Sequence, residues 1–81
     1  MPVETYTVKA EWDSEAGVWV ATSEDVPGLV TEADTLERLI EKLRAMVPEM
    51  LVLNGILPPE AAAVAPFRII AERLEQPRAV A

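Results

Sequence analysis

The fold of this chain is decided by residues 18–37, which read VWVATSEDVPGLVTEADTLE. The opening run VWVAT is rich in β-branched and aromatic side chains, which predicts a strand. Pro27 and Gly28 follow at the second and third positions of a turn, where a type II turn favours them. A short strand over residues 29–32 comes next, and Asp34 or Thr35 can cap a helix that starts directly after it. The stretch therefore predicts two strands, a tight turn between them, and a helix.

The residues before this stretch add one more strand. Residues 3–12 alternate between apolar and polar side chains, with Tyr6, Val8 and Ala10 on one side, which is typical of a half-buried strand. Residues 13–17 are polar and end in glycine, as a turn requires. The N-terminal part of the chain is therefore predicted to be a β-hairpin.

The residues after this stretch continue the helix. Apolar side chains at helical spacing extend to Asn54 and Gly55, a pair that commonly ends a helix. Pro48 lies inside this segment, and we expect it to bend the helix rather than break it. The apolar stripe is centred on Leu36, Ile40, Leu43, Val47 and Met50, flanked by Leu39, Met46 and Leu51.

The remaining residues complete one domain. Residues 58–63 can form one or two helical turns, and residues 67–74 alternate as a fourth strand. We expect a single domain over residues 1–75 and a flexible tail over residues 76–81. The predicted fold is α+β, a two-layer β-β-β-α-β arrangement with one helix on one face of a four-stranded sheet.

The composition argues against catalysis. The 81 residues include no cysteine and no histidine, so a disulfide, a thiolate zinc site and a histidine base are all excluded. The serines and threonines lack the base that a catalytic triad needs. We therefore expect a protein that is not an enzyme, with no catalytic residue, no cofactor site and no metal site.

The distribution of charge predicts the kind of partner. Residues 1–41 hold ten acidic residues against only Lys9 and Arg38, although the whole chain carries a net charge of only −7. Such a surface repels nucleic acid and attracts a basic protein. The alternative is that the acids only keep the protein soluble. The candidate acidic partner surface comprises Glu11, Glu24, Asp25 and Glu32.

The N-terminus and the apolar runs of the chain predict its cellular location. The N-terminus shows no signal-peptide pattern, and no apolar run reaches the roughly 20 residues that a membrane-spanning helix needs. We expect a cytoplasmic protein that does not bind a membrane. The scarcity of asparagine and glutamine is typical of a thermophile.

The predicted sheet also suggests self-association. One helix covers one face only, yet the second and fourth strands are apolar on both sides. The alternative is that the C-terminal segment folds over the second face. We expect a homodimer or a higher homo-oligomer, with Trp19, Ala21 and Ile70 as the candidate interface and Trp19 as its anchor.

The ordered set of motifs in residues 18–37 resembles the N-terminal domain of the HicB-like antitoxins. The shared features are an aromatic strand, the Asp25-Val26-Pro27-Gly28-Leu29 run, a short strand and Asp34-Thr35 before a helix. The resemblance is good over residues 3–54 and loose beyond. Among these proteins, the chain is most similar to a small uncharacterised prokaryotic branch.

This resemblance implies a reduced ribonuclease H-like fold and an antitoxin that covers a small basic RNA-cutting toxin of the HicA type. Many relatives add a C-terminal DNA-binding segment, for which this chain has too few residues after Gly55. One alternative is a free-standing homo-oligomeric structural module. A weaker alternative is a metal-dependent nuclease, whose candidate ligands are Glu11, Glu24, Asp25 and Asp34.

Overall fold

The computed structural model describes residues 5–78 and contains six helices and strands. The strands form one sheet in the order β3-β2-β1-β4, in which β1 pairs antiparallel with β2 and parallel with β4. The predicted α+β class and the order of its main elements are confirmed. The elements are β1 (Tyr6–Asp13), β2 (Val18–Thr22), β3 (Val30–Ala33), α1 (Leu36–Leu53), α2 (Pro59–Ala62) and β4 (Phe67–Glu72).

The parallel pairing of β1 with β4 follows from the path of the chain. β3 and β4 are the two edges of the sheet, so the segment that contains α1 and α2 carries the chain from one edge to the other. A parallel pair needs such a crossover, whereas an antiparallel pair can be joined by a tight turn. The crossover places α1 against one face of the sheet.

The core lies between α1 and that covered face. The helix contributes four fully buried side chains at a spacing of four residues, so the stripe is rotated slightly from the predicted centre. Tyr6, Val8 and Ala10 contribute from β1, as their alternation predicts. The buried helix residues are Leu39, Leu43, Val47 and Leu51.

The predicted interface is wrong for two of its three residues. Trp19 pairs with Trp12, and Ala21 pairs with Ala10, so both lie on the face that α1 covers. The side chain of Trp19 is 8% exposed and that of Ala21 is fully buried. The physical reason is that alternation separates the two faces of a strand but does not determine which face the helix covers. Ile70 lies on the other face.

The ends of α1 are closed by side chains and by a glycine. Thr35 is the N-cap, and its hydroxyl accepts a hydrogen bond from the Arg38 N–H at 3.1 Å. Asp34 is therefore not the cap, and its carboxylate instead pairs with the Arg38 guanidinium at 2.9 Å. Gly55 takes a φ of 67°, and the helix ends at the predicted position. The helix continues through Pro48 without a break.

Several strand boundaries differ from the prediction: β1 ends at Asp13 and β3 at Ala33, each one residue later than predicted, and two further differences have a visible cause. β3 starts at Val30 because Leu29 closes the preceding turn, with its N–H bonded to the Val26 carbonyl at 3.1 Å. β4 ends at Glu72, since the register gives no β1 partner to Leu74. Residues 3–4 of the predicted first strand and residues 79–81 of the predicted tail lie outside the described residues.

Candidate protein-binding surface

The face of the sheet opposite α1, here called the open face, carries the candidate acidic residues that sequence placed on strands. Glu11 lies opposite Val20 on β2, and Val20 lies opposite Glu32 on β3. On its other side Glu11 lies opposite Glu72 of β4. Three glutamates therefore stand in one row across the four strands. We call Glu32, Glu11 and Glu72 the carboxylate row.

The next row of the open face is mixed in character. Val30, Thr22, Lys9 and Ile70 lie side by side across the four strands. Val30 is 64% exposed and Ile70 is 53% exposed, but a hydroxyl and an ammonium group separate them. The open face is therefore not the continuous apolar interface that the two-sided strands predicted.

The carboxylate row makes no internal ion pair within residues 5–78. The salt bridges of this part of the chain join Arg38 to Asp34, Arg44 to Glu41, and Arg73 to Glu75. All three lie outside the row and its cross-strand neighbours. Moreover, Glu11 and Glu72 are directly opposite each other, an arrangement that destabilises a sheet when both side chains are charged. The row thus presents negative charge that no ion pair of the described residues neutralises.

The loop of residues 23–29, here called the motif loop, is held by hydrogen bonds to β1. Asp25 Oδ2 accepts the Thr7 N–H at 2.8 Å, and Ser23 Oγ donates to the Thr7 carbonyl at 2.6 Å. The same hydroxyl accepts the N–H groups of Asp25 and Val26, each at 3.2 Å. Asp25 therefore has a structural role, which its place in the candidate acidic surface did not predict.

The motif loop also joins the sheet to the end of α1. Gly28 has a φ of 81°, as the third position of the predicted type II turn requires, and a β-carbon there would lie 3.3 Å from Met50 Cε. The Asn54 side-chain amide donates to the Pro27 carbonyl at 2.8 Å. The loop thus fixes how the helix sits on the sheet.

Two clefts adjoin these features. A cleft of about 160 Å³ lies beside the motif loop and is lined by Thr7, Lys9, Glu24 and Asp25. Glu24 is exposed there, but Lys9 in the same cleft offsets part of the negative charge. Glu24 and Asp25 therefore lie beside Thr7 and Lys9, outside the row that contains Glu11 and Glu32.

The second cleft, of about 340 Å³, lies at the far end of β1 and β4 and is lined by Glu11, Trp12, Glu72, Arg73 and Leu74. The Arg73 guanidinium stacks over the Trp12 ring at 4.1 Å from its centroid. Trp12 in turn meets Trp19 edge to face at 5.5 Å. Such contacts hold both tryptophans within the protomer, on the covered side of the sheet.

The candidate metal ligands of the nuclease alternative do not converge. No group of three potential ligands lies together among residues 5–78. Glu11 lies on the open face, whereas Asp25 bonds to Thr7 and Asp34 pairs with Arg38. Within the same residues, no helix is long and apolar enough to cross a membrane.

Sequence reasoning missed Glu72 as a member of the acidic surface. The alternation of residues 67–74 already places it on the polar side of its strand. Its position beside Glu11 depends on the parallel pairing of β4 with β1, which the order of elements alone does not specify. Finding the row would have required both the strand order and the register of each pair.

These features define a small two-layer α+β domain with a carboxylate-bearing open sheet face. The chain belongs to the family described as domain of unknown function (DUF1902), whose model matches residues 5–81. It is similar to the crystal structure of a hypothetical protein from the extremely thermophilic bacterium Thermus thermophilus, with 49% identity and a TM-score of 0.68. That match covers 91% of this chain and 97% of the other. None of the curated proteins matches the chain.

Proposed function

We propose that this domain is a non-enzymatic, cytoplasmic protein-binding module of the HicB-like type, which neutralises a small basic RNA-cutting toxin. The observation that carries the proposal is the carboxylate row on the open face. Its glutamates are exposed and make no ion pair within residues 5–78. A basic protein would supply the missing positive charge.

The spacing of the row suits a surface of lysine and arginine side chains. Neighbouring strands lie about 4.8 Å apart, so the row from Glu32 to Glu72 extends roughly 14 Å across the sheet. Arginine can bind a carboxylate through two parallel hydrogen bonds, and several such pairs fix the orientation of a partner. Charge of one sign on an exposed face also accelerates the encounter with a partner of opposite charge.

The test is binding to a small basic protein encoded beside this chain, with rescue of growth when the two are co-expressed. The double variant Glu11→Gln/Glu32→Gln should weaken the complex about tenfold or more, because two cross-interface charge pairs are lost. Binding of the unaltered protein should also fall as salt is raised from low to physiological concentration.

The matched control is Glu49→Gln/Glu60→Gln, which removes the same charge from exposed positions outside the sheet. It should bind as the unaltered protein does. Equal weakening by both double variants would contradict a specific role for the row. A complex that is insensitive to salt, or the absence of both complex and growth rescue, would overturn the antitoxin proposal.

A second candidate function is a free-standing module that self-associates. The observation that favours it is the outer edge of β4, beside which no further strand lies among residues 5–78. A stable homo-oligomer without any toxin-binding activity would support this function over the first.

A further inference from the structure

The outer edge of β4, here called the β4 edge, presents a row of backbone groups that point away from the sheet. The Tyr6 N–H donates to the Pro66 carbonyl at 3.1 Å, so Tyr6 directs its backbone groups toward β4. Thr7 directs its own groups the opposite way, to Asp25 and Ser23.

The register then determines whether the backbone N–H and C=O groups of each β4 residue point toward β1 or away from it. In a parallel ladder, alternate residues of one strand bond to the residues on either side of their partner. Arg68, Ile70 and Glu72 therefore direct their N–H and C=O groups toward β1. The backbone groups of Phe67, Ile69 and Ala71 face outward, where the described residues provide no neighbouring strand.

The other edge of the sheet is better protected. β3 has four residues, and by the same alternation the backbone groups of Glu32 face outward. The Lys42 ammonium reaches from α1 and donates to the Glu32 carbonyl at 2.6 Å. An exposed edge strand is a template for pairing with another chain, and a lysine at the edge is a common means of preventing it. Among residues 5–78, no side-chain hydrogen bond from α1 or α2 reaches the six-residue β4 as Lys42 reaches β3.

The side chains of the β4 edge are complementary to themselves. Arg68, Ile70 and Glu72 alternate along the open face of β4, with a basic residue two positions before the isoleucine and an acidic one two positions after it. We propose that β4 pairs antiparallel with β4 of a second copy, about a two-fold axis at Ile70. This pairing would join two four-stranded sheets into one continuous sheet.

In this register the directions of the backbone groups agree. Ile69 lies opposite Ala71 of the second copy, and both present outward-facing groups, so they form hydrogen-bonded pairs. Ile70 lies opposite Ile70, and Arg68 lies opposite Glu72, as non-hydrogen-bonded pairs whose side chains come closest. Two Arg68–Glu72 pairs therefore flank one isoleucine contact.

The neighbouring registers lose this complementarity. An axis at Ile69 places Arg68 opposite Ile70, and an axis at Ala71 places Glu72 opposite Ile70. An axis at Arg68 or at Glu72 sets like charges against each other, which destabilises the pair. Registers with an axis between residues would pair outward-facing with inward-facing backbone groups.

The proposed pairing also removes two unfavourable features of the protomer. Glu72 lies opposite Glu11 within one copy, and Arg68 of the second copy would supply the compensating charge on its other side. The side chain of Ile70, which is 53% exposed, would be covered by its own counterpart. Glu11 and Glu32 would stay accessible on the open face, so self-pairing is compatible with a basic partner.

The test is the dissociation constant of the homodimer by analytical ultracentrifugation of the full chain. Arg68→Glu and Glu72→Arg should each weaken the dimer about tenfold or more, because each places like charges opposite each other. The double variant Arg68→Glu/Glu72→Arg restores opposite charges in reversed order, so it should return to within about threefold of the unaltered protein. Glu49→Arg, a charge change on the exposed side of α1, should have no effect.

A proline variant tests the backbone hydrogen bonds of the β4 edge independently of its side chains. Ala71→Pro removes an outward-facing N–H while leaving the inward-facing donors that bond to β1, and an edge strand tolerates proline at such a position. It should be monomeric yet show the circular dichroism of the folded protein. A monomeric unaltered protein at millimolar concentration would overturn the proposal. So would a double charge variant that does not recover while both single variants stay folded, or an Ala71→Pro protein that is folded and dimeric.

Discussion

The motif loop and the β4 edge differ in how far their chemical groups are satisfied within one protomer. In the motif loop, Ser23 and Asp25 bond to both backbone groups of Thr7, and Val26 is fully buried. Along the β4 edge, every second residue directs its backbone groups outward, and Ile70 is more than half exposed. The motif loop is bonded to β1 within the protomer, whereas the outward-facing backbone groups of β4 have no strand beside them among residues 5–78.

This difference shows that the most recognisable sequence is the part whose groups are already bonded within the protomer. The Asp-Val-Pro-Gly-Leu run at residues 25–29 carries the resemblance to a family, yet its acid bonds to β1 and its glycine lies close to Met50 of α1. The β4 edge contains no motif. A motif of this kind therefore identifies the fold, and the partner surfaces have to be found from strand order and exposure.

The largest expected effect is a loss of stability when a buried valine of the motif loop is truncated, compared with truncation of an exposed valine. Val26→Ala should lower the free energy of unfolding by roughly 2–3 kcal/mol, because it removes buried methyl groups and leaves a cavity. Val30→Ala makes the same change at a side chain that is 64% exposed, and it should cost less than about 0.5 kcal/mol. Urea unfolding at one protein concentration measures both. Equal losses would show that the motif loop is not part of the core.

The fold follows from local patterns for reasons that the residues make clear. Alternation gave β1, the proline–glycine turn separated β2 from β3, and Asn54-Gly55 ended α1. The α+β class was therefore predictable from the sequence. The covered face of β2 was not, because Val18 and Val20 are as apolar as Trp19 and Ala21, and only the contact with α1 distinguishes the two sides.

The candidate surface was less predictable because it depends on contacts between distant segments. Glu11 and Glu32 were identified as exposed acids, but their alignment through Val20 needs the register of three strands. The hydrogen bond from Thr7 to Asp25 joins residues 18 positions apart and turns a candidate partner residue into a structural one. Composition predicts the sign of the charge on a surface, whereas the strand register determines where that charge lies.

An intermediate loss of stability is expected when the two adjacent acids of the motif loop, Glu24 and Asp25, are compared. Asp25→Ala should cost about 1–2 kcal/mol of stability, because the Thr7 N–H loses a charged acceptor in a half-buried site. Glu24→Ala removes the same charge from the neighbouring exposed position and should change stability by less than about 0.5 kcal/mol. Thermal unfolding of both variants at low protein concentration checks this. A Glu24 variant as unstable as the Asp25 variant would contradict the structural role of Asp25.

The smallest effect on stability concerns the outer edge of β3, and it tests why we propose pairing through β4 rather than through β3. Lys42→Met should change the free energy of unfolding by only about 0.5 kcal/mol, since the bond to the Glu32 carbonyl is exposed. It should nevertheless promote association beyond a dimer, because removing the ammonium leaves outward-facing groups on both edges of each sheet. Light scattering over a concentration series measures this. Arg44→Met, which removes a positive charge from an exposed position of the same helix without uncovering β3, should leave the assembly unchanged. If the Lys42 and Arg44 variants behave alike, the protection of β3 does not come from Lys42, and its short length is the remaining difference between the two edges.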